Sequence, residues 1–243
     1  MIRYLPVFVI LSLLAEILGT VGGFGSSVFF VPIANFFMGF TEVLGLTALF
    51  HLASNMSKIA FFKKGLDKKL LLYLGIPAVL FVIVGAFLSA YLDPLVLTLV
   101  LGGFLVLFSI LQLLFPHKTI DPNKRNAFVG GSLSGFSAGI LGTGGAIRGA
   151  TMAAFNLRKE VFVATSAVID MGVDASRTVV YLSNGYMTRQ VWILFPVMIV
   201  IGIAGTYLGK LILKRMSQDH FRLLVLILVL IVGVVTLYGA FSS

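Results

Sequence analysis

Val21-Gly22-Gly23-Phe24-Gly25-Ser26-Ser27 and Leu141-Gly142-Thr143-Gly144-Gly145-Ala146-Ile147-Arg148 are the stretches on which the fold turns. They lie about 120 residues apart, each inside a hydrophobic segment. Glycine is a poor helix residue, and a break frees backbone polar groups that a lipid-facing segment cannot leave unpaired. Irregular backbone at membrane depth is tolerated only where protein buries it or it lines a cavity. Matching interruptions in two halves of a chain are the best sequence pointer to a transporter's binding site.

The rest of the composition agrees with a membrane location. Of 243 residues, 59% are hydrophobic and 11% charged, and the mean hydropathy is +1.08. A soluble domain of this size has no interior large enough for so much apolar surface, so the class is a polytopic membrane protein. Cysteine is absent, which excludes disulfides, thiolate metal sites and a cysteine-based sulfur relay. The net charge of +9 is no sign of nucleic acid, because the basic residues sit in short loops between apolar spans. Residues 4–20 imitate a signal peptide, but Glu16 interrupts the run and no small-residue cleavage site follows, so the segment reads as a retained helix.

Charge-poor stretches at about 70–92, 94–115, 191–209 and 221–241 are each long enough to cross about 30 Å of hydrocarbon. Segments 43–62 and 160–182 are also long enough but carry polar residues. The glycine breaks divide 4–38 and 127–157 into two shorter helices each. Residues 1–115 thus form one repeat, 116–126 a linker and 127–243 a second repeat. Ser12, Ala15, Gly19, Gly22 and Gly25 correspond to Ser132, Gly135, Gly139, Gly142 and Gly145. Further on, Glu42-Val43 matches Glu160-Val161, Pro77 matches Pro196 and Gly85 matches Gly205. His51-x3-Asn55-x2-Lys58 stands against Asp170-x3-Asp174-x2-Arg177.

Parity then sets the symmetry. A broken pair adds an even number of crossings and three spans follow it, so each repeat is odd and the second is inverted. Placing Lys63, Lys64, Lys68 and Lys69 in the cytoplasm puts thirteen Lys and Arg inside, Arg3 and Arg189 outside, and Lys58, Arg148 and Arg177 within the membrane. That satisfies the positive-inside rule with both termini outside. Gly131, Gly135 and Gly139, four residues apart, read as a close-packing stripe.

Arg148 carries the most weight. It follows Gly144 and Gly145, where a half-helix should begin; the exposed amides and dipole of such an N-terminus favour anions. The guanidinium adds a planar fork suited to oxyanions. In the other half, Gly23, Gly25, Ser26 and Ser27 occupy the equivalent start. The rival role for Arg148 is a structural clamp on carbonyls or an interfacial anchor.

Asp170, Asp174 and Arg177 share one helix face. Asp174 and Arg177 serve either as a fixed pair or in coupling, and Asp170, a turn away, is the better proton carrier. His51 is its counterpart, either a proton group or a hydrogen-bonded core residue. Lys58 is close enough to Lys63 for its stem to snorkel to the cytoplasmic surface. Glu16 should face inward, paired with Lys58 or Arg148, and Asn55 supports the same cluster.

The segment G-G-F-G-S-S-x3-V-P at 22–32, its partner G-T-G-G at 142–145 and the duplicated layout resemble the TauE/SafE sulfite exporter family, also called the toluene sulfonate uptake permease family. The resemblance covers essentially the whole chain and implies passage of sulfite, organosulfonates or related small anions through the prokaryotic cytoplasmic membrane. Arg148 departs from the smaller residue expected after the second glycine motif. The expectation is therefore an all-α, inverted-repeat transporter of a small sulfur-containing oxyanion or organosulfonate. It would act as an exporter with proton coupling through Asp170, need no cofactor or metal, and have as partners the anion and the bilayer. An anion channel and a small-carboxylate transporter are the rival transport readings. An intramembrane enzyme lacks a nucleophile–base set, with His51 as the lone membrane histidine.

Overall fold

A computed structural model describes residues 4–22, 25–62, 65–115, 121–155, 157–213 and 218–242. The helices within them are α1 (Leu5–Gly22), α2 (Ser27–Asn35), α3 (Phe40–Phe61), α4 (Lys68–Ser89), α5 (Pro94–Leu114), α6 (Lys124–Leu141), α7 (Gly145–Ala153), α8 (Lys159–Ser183), α9 (Arg189–Leu213) and α10 (Gln218–Ser242). No strand occurs among the described residues. α1, α4, α5 and α9 are each long and apolar enough to cross a membrane. Four such helices are the pattern of a multi-pass membrane protein.

Local chemistry sets the helix boundaries. Asp67, Asp93 and Asn123 cap α4, α5 and α6 by accepting from Leu70 N, Leu95 N and Asn126 N. Pro94 fits the first turn of α5, where its missing N–H costs nothing. α6 ends on Gly142, whose φ of 74° is the left-handed conformation that favours glycine. Gly25 has φ 80° and turns the chain into α2. The π-helical stretch Leu71–Gly75 precedes Pro77, which lacks the N–H an α-helix needs there.

α2 and α7 have nine residues each, about 14 Å of helix, so each stops partway through a bilayer core. Both fold back on the helix before them. Phe8 of α1 meets Phe30 and Phe37 at ring-centroid distances of 6.0 and 5.2 Å, and Gly130 of α6 faces Thr151 of α7. The packing partners also recur. α1 lies on α9 as α6 lies on α4, α3 lies on α9 as α8 lies on α4, and α3 and α5 pack on α8 and α10. One pair shows the register: Gly205 packs on Glu16, and Gly85 packs on Phe136.

Lipid tails are as apolar as leucine, so close packing takes over the role that water exclusion has in soluble proteins. Gly131, Gly135 and Gly139 lie against backbone atoms of Leu74, Ala78 and Val82, as the packing reading of that stripe expects. Leu80, Phe87, Leu107, Ile193, Val200 and Ile203 remain exposed on the outer faces of α4, α5 and α9. At one end of the bundle, Lys124 sits over the Tyr73 ring and Lys210 over Phe61 and Phe62. Asp67 N donates to Thr165 Oγ1 at the same end. The N-termini of α4, α6 and α8 therefore gather there with the C-termini of α3 and α9.

A methyl group at Gly135 would run into the Ala78 backbone, whereas at Gly103 it would meet nothing within 4 Å. Gly135→Ala should cost about 1–3 kcal/mol, as overpacking does, and lower the thermal midpoint read from intrinsic fluorescence. Gly103→Ala should leave it unchanged. Equal midpoints for the two variants would contradict the close α4–α6 contact.

Candidate functional site

The two breaks meet in the interior. Thr143 Oγ1, in the second break, donates to Ser27 Oγ at the start of α2 at 3.2 Å. The loop carbonyls of the second break are held by α6: Ser137 Oγ donates to Thr143 O and Ser134 Oγ to Gly144 O. Gly144 caps α7 and Gly145 begins it; a side chain at Gly144 would clash with Ser134 O. Gly23 lies outside the described residues. Arg148 falls in the first turns of α7, as its place after the glycines implied.

Three ion pairs surround this junction. Arg148 grips Asp170 with both terminal nitrogens: Nη2 donates to Oδ2 at 2.5 Å and Nη1 contacts Oδ1. Its Nε donates to Ser166 Oγ at 3.0 Å. The guanidinium thus clamps a carboxylate, not backbone carbonyls, and Asp170 is firmly paired where the sequence left it a turn away from any partner. Arg177 donates to Asp174 through Nε at 2.9 Å and reaches it through Nη2 at 2.7 Å. Its Nη1 donates to Ala138 O and Gly142 O, closing the C-terminus of α6. This is the fixed-pair alternative, extended to a helix cap. Tyr181 Oη helps by donating to Gly139 O.

The third pair corrects an expectation. Lys58 does not snorkel outward; Nζ turns inward to Glu16 Oε1 at 2.9 Å and donates to Ser54 Oγ at 2.7 Å. A carboxylate fully inside a membrane protein needs a counter-charge more than an ammonium near the surface needs water. Glu16 Oε1 also accepts from Thr20 at 3.1 Å, Ser54 at 2.5 Å and Thr206 at 3.0 Å, and Oε2 accepts from Ser26 at 2.5 Å. The Ser26 hydroxyl therefore points at Glu16 and not at an open anion site. His51 Nε2 lies 3.0 Å from Ser26 Oγ, and Nδ1 lies 3.9 Å from Asp174 Oδ2. Asn55 Nδ2 donates to Asp174 Oδ2 at 2.7 Å, joining α3 to α8.

A small cavity with room for about one water molecule lies between these groups. Gly19, Thr20, Gly25, Lys58, Val163, Ser166, Ala167 and Asp170 line it. Gly25 lies beside Arg148, and its positive φ is a backbone conformation that a side chain would strain. Of the three acids, Asp170 keeps 14% of its side chain exposed, against 0% for Glu16 and 2% for Asp174. A carboxylate and a sulfur oxyanion present the same two-oxygen edge to a guanidinium, so this fork suits either. Among the described residues no His, Asp and Glu cluster is arranged to hold a metal ion.

Sequence reasoning missed Ser54, Thr206 and Ser166. Ser54 lies four residues before Lys58, on the same face, as Thr20 follows Glu16; that spacing was available as a signal. Thr206 and Ser166 carry none, since their partners sit on other helices.

No curated protein and no solved structure matches the chain. One family model does, sulfite exporter TauE/SafE, over residues 8–236. That span takes in both glycine breaks, the three ion pairs of the junction and nearly every described helix, so the chain belongs to the TauE/SafE sulfite exporter family.

Proposed function

We propose that this protein exports a small sulfur-containing oxyanion or organosulfonate across the cytoplasmic membrane, with Asp170 and the substrate taking turns on Arg148. The observation that carries the proposal is the buried Arg148 fork, filled by the Asp170 carboxylate at the wall of a cavity. At the junction three cations balance three carboxylates. An entering anion upsets that balance unless one acid takes a proton. Glu16 has four hydroxyl donors besides Lys58, and Asp174 has Arg177 and Asn55. Among the described residues Asp170 is held by Arg148 alone. Protonating Asp170 frees the fork, and the anion takes its place.

A cavity with room for only about one water supports a carrier over a wide open channel. We read 1–115 and 127–243 as inverted repeats around this site, a reading supported by the recurring packing partners and by the Gly205–Glu16 and Gly85–Phe136 pairs. Rocking of one repeat against the other would then expose the cavity to each side in turn. A monoanion leaving without its proton gains about 2.3 kcal/mol per 100 mV of inside-negative potential. Export of the unprotonated anion needs no other energy source, whereas an anion that carries the proton out is driven by the product of the anion and proton gradients.

Arg148→Lys retains charge but loses the fork, so sulfite affinity should fall at least several-fold. The Arg148→Gln/Asp170→Asn double variant removes the pair without stranding a charge and should abolish binding. Asp170→Asn leaves the fork permanently open, so its affinity for methanesulfonate, which does not titrate near neutral pH, should be retained and should no longer depend on pH. Unchanged sulfite binding and flux in the double variant would remove Arg148 from the site.

The orientation is tested separately. This chain has no cysteine, so single cysteines at Lys68 and Lys124 report their side through an impermeant thiol label. Both should label only from the cytoplasm, with both termini outside. Labelling from opposite faces would overturn the inverted arrangement.

A further inference from the structure

Asp170, held on the Arg148 fork, lines the cavity, and a second cation, Lys58, lines it too. Lys58 belongs to α3, whereas Arg148 and Asp170 belong to α7 and α8. Its ammonium has three N–H donors; Ser54 Oγ and Glu16 Oε1 take two, and Lys58 lines the cavity beside Gly19, Thr20 and Gly25. The negative charge of Glu16 is spread over hydroxyl donors from Thr20, Ser26, Ser54 and Thr206. Those donors hold the carboxylate in place and weaken its field, so Lys58 leaves the cavity facing a positive group. Among the described residues the lining is otherwise glycine, alanine, valine, serine and threonine, with no aromatic face on which an aryl tail could stack.

Resting on the exporter reading above, we infer that Lys58 is a second cationic ligand of the substrate, and that the site is built for compact, doubly charged sulfur oxyanions. Two oxygens lie on the Arg148 fork vacated by Asp170, and a further oxygen meets the Lys58 ammonium. A monoanionic sulfonate fills the fork equally well but turns its carbon substituent toward Lys58, where it gains nothing. One ligand thereby bridges helices from both halves of the chain.

Sulfate and methanesulfonate separate the alternatives, since both are tetrahedral and differ by one oxygen replaced with methyl. Their affinities are measured by calorimetry on the purified full-length protein and on Lys58→Gln/Glu16→Gln, which removes the second ion pair without leaving a lone charge. The parent should prefer sulfate by about tenfold or more, the effect of one charge-assisted hydrogen bond. In the double variant that preference should fall to near unity while methanesulfonate binding persists, and Lys58→Arg should restore it. A ratio is insensitive to a general loss of affinity, and the parent's own ratio requires no variant to fold. An unchanged preference in the double variant, or no preference in the parent, overturns the inference and leaves the Arg148 site standing. A parent that binds neither anion overturns both.

Discussion

The pairing of the buried charges at the junction, Glu16 with Lys58, Arg148 with Asp170 and Asp174 with Arg177, is the constraint on which the rest of the molecule depends. An ion stranded in a membrane interior is strongly unfavourable, and removing one partner of a buried pair costs about 3–5 kcal/mol. The three pairs are therefore also the ties between helices. Glu16 binds α1 to α3 and α9 through Lys58, Ser54 and Thr206. Asn55 and Asp174 bind α3 to α8, Arg177 binds α8 to the end of α6, and Arg148 binds α7 to α8. Breaking any of them without a substitute loosens the junction where the half-helices meet.

Such a junction has one cheap way to rearrange: a carboxylate on a cation is exchanged for another oxyanion. Asp170 alone sits where that exchange can happen, on the cavity wall with a single partner among the described residues. Asp174 is locked into a helix cap, and Glu16 is surrounded by hydroxyls. Away from the cavity the structure is closed by aromatic packing. Tyr181 and Tyr186 stack at 5.4 Å, and Tyr186 lies against Gly45 and near Ser89. Phe62 packs with Val163 and Ala164 by the basic end. With Lys58, Arg148 and Arg177 each paired to a carboxylate, the junction is electrically neutral.

Much of this was legible beforehand, for reasons that differ residue by residue. The breaks at Gly22 and Gly142 were visible because glycine runs cannot continue a helix among leucines. The Asp174–Arg177 pair was visible because three residues along a helix bring two side chains together. The partner of Arg148 was not, since Asp170 lies on another helix and only the packing of α7 against α8 joins them. Lys58 was misjudged because a lysine stem near a helix end reaches outward as easily as inward. The hydroxyls around Glu16 were overlooked because serine and threonine in apolar helices usually bond to their own backbone. Ser12, Ser109 and Thr236 do so here, each to the carbonyl four residues earlier.

Proton count is the most direct test of the exchange at Arg148. Methanesulfonate carries no proton of its own at neutral pH, so any proton taken up on binding enters the protein. Calorimetry in two buffers of different ionisation heat gives the stoichiometry. Around neutral pH the account predicts uptake approaching about one proton per anion bound by the parent, and none by Asp170→Asn. Binding by the parent with no uptake, or undiminished uptake in Asp170→Asn, would contradict it.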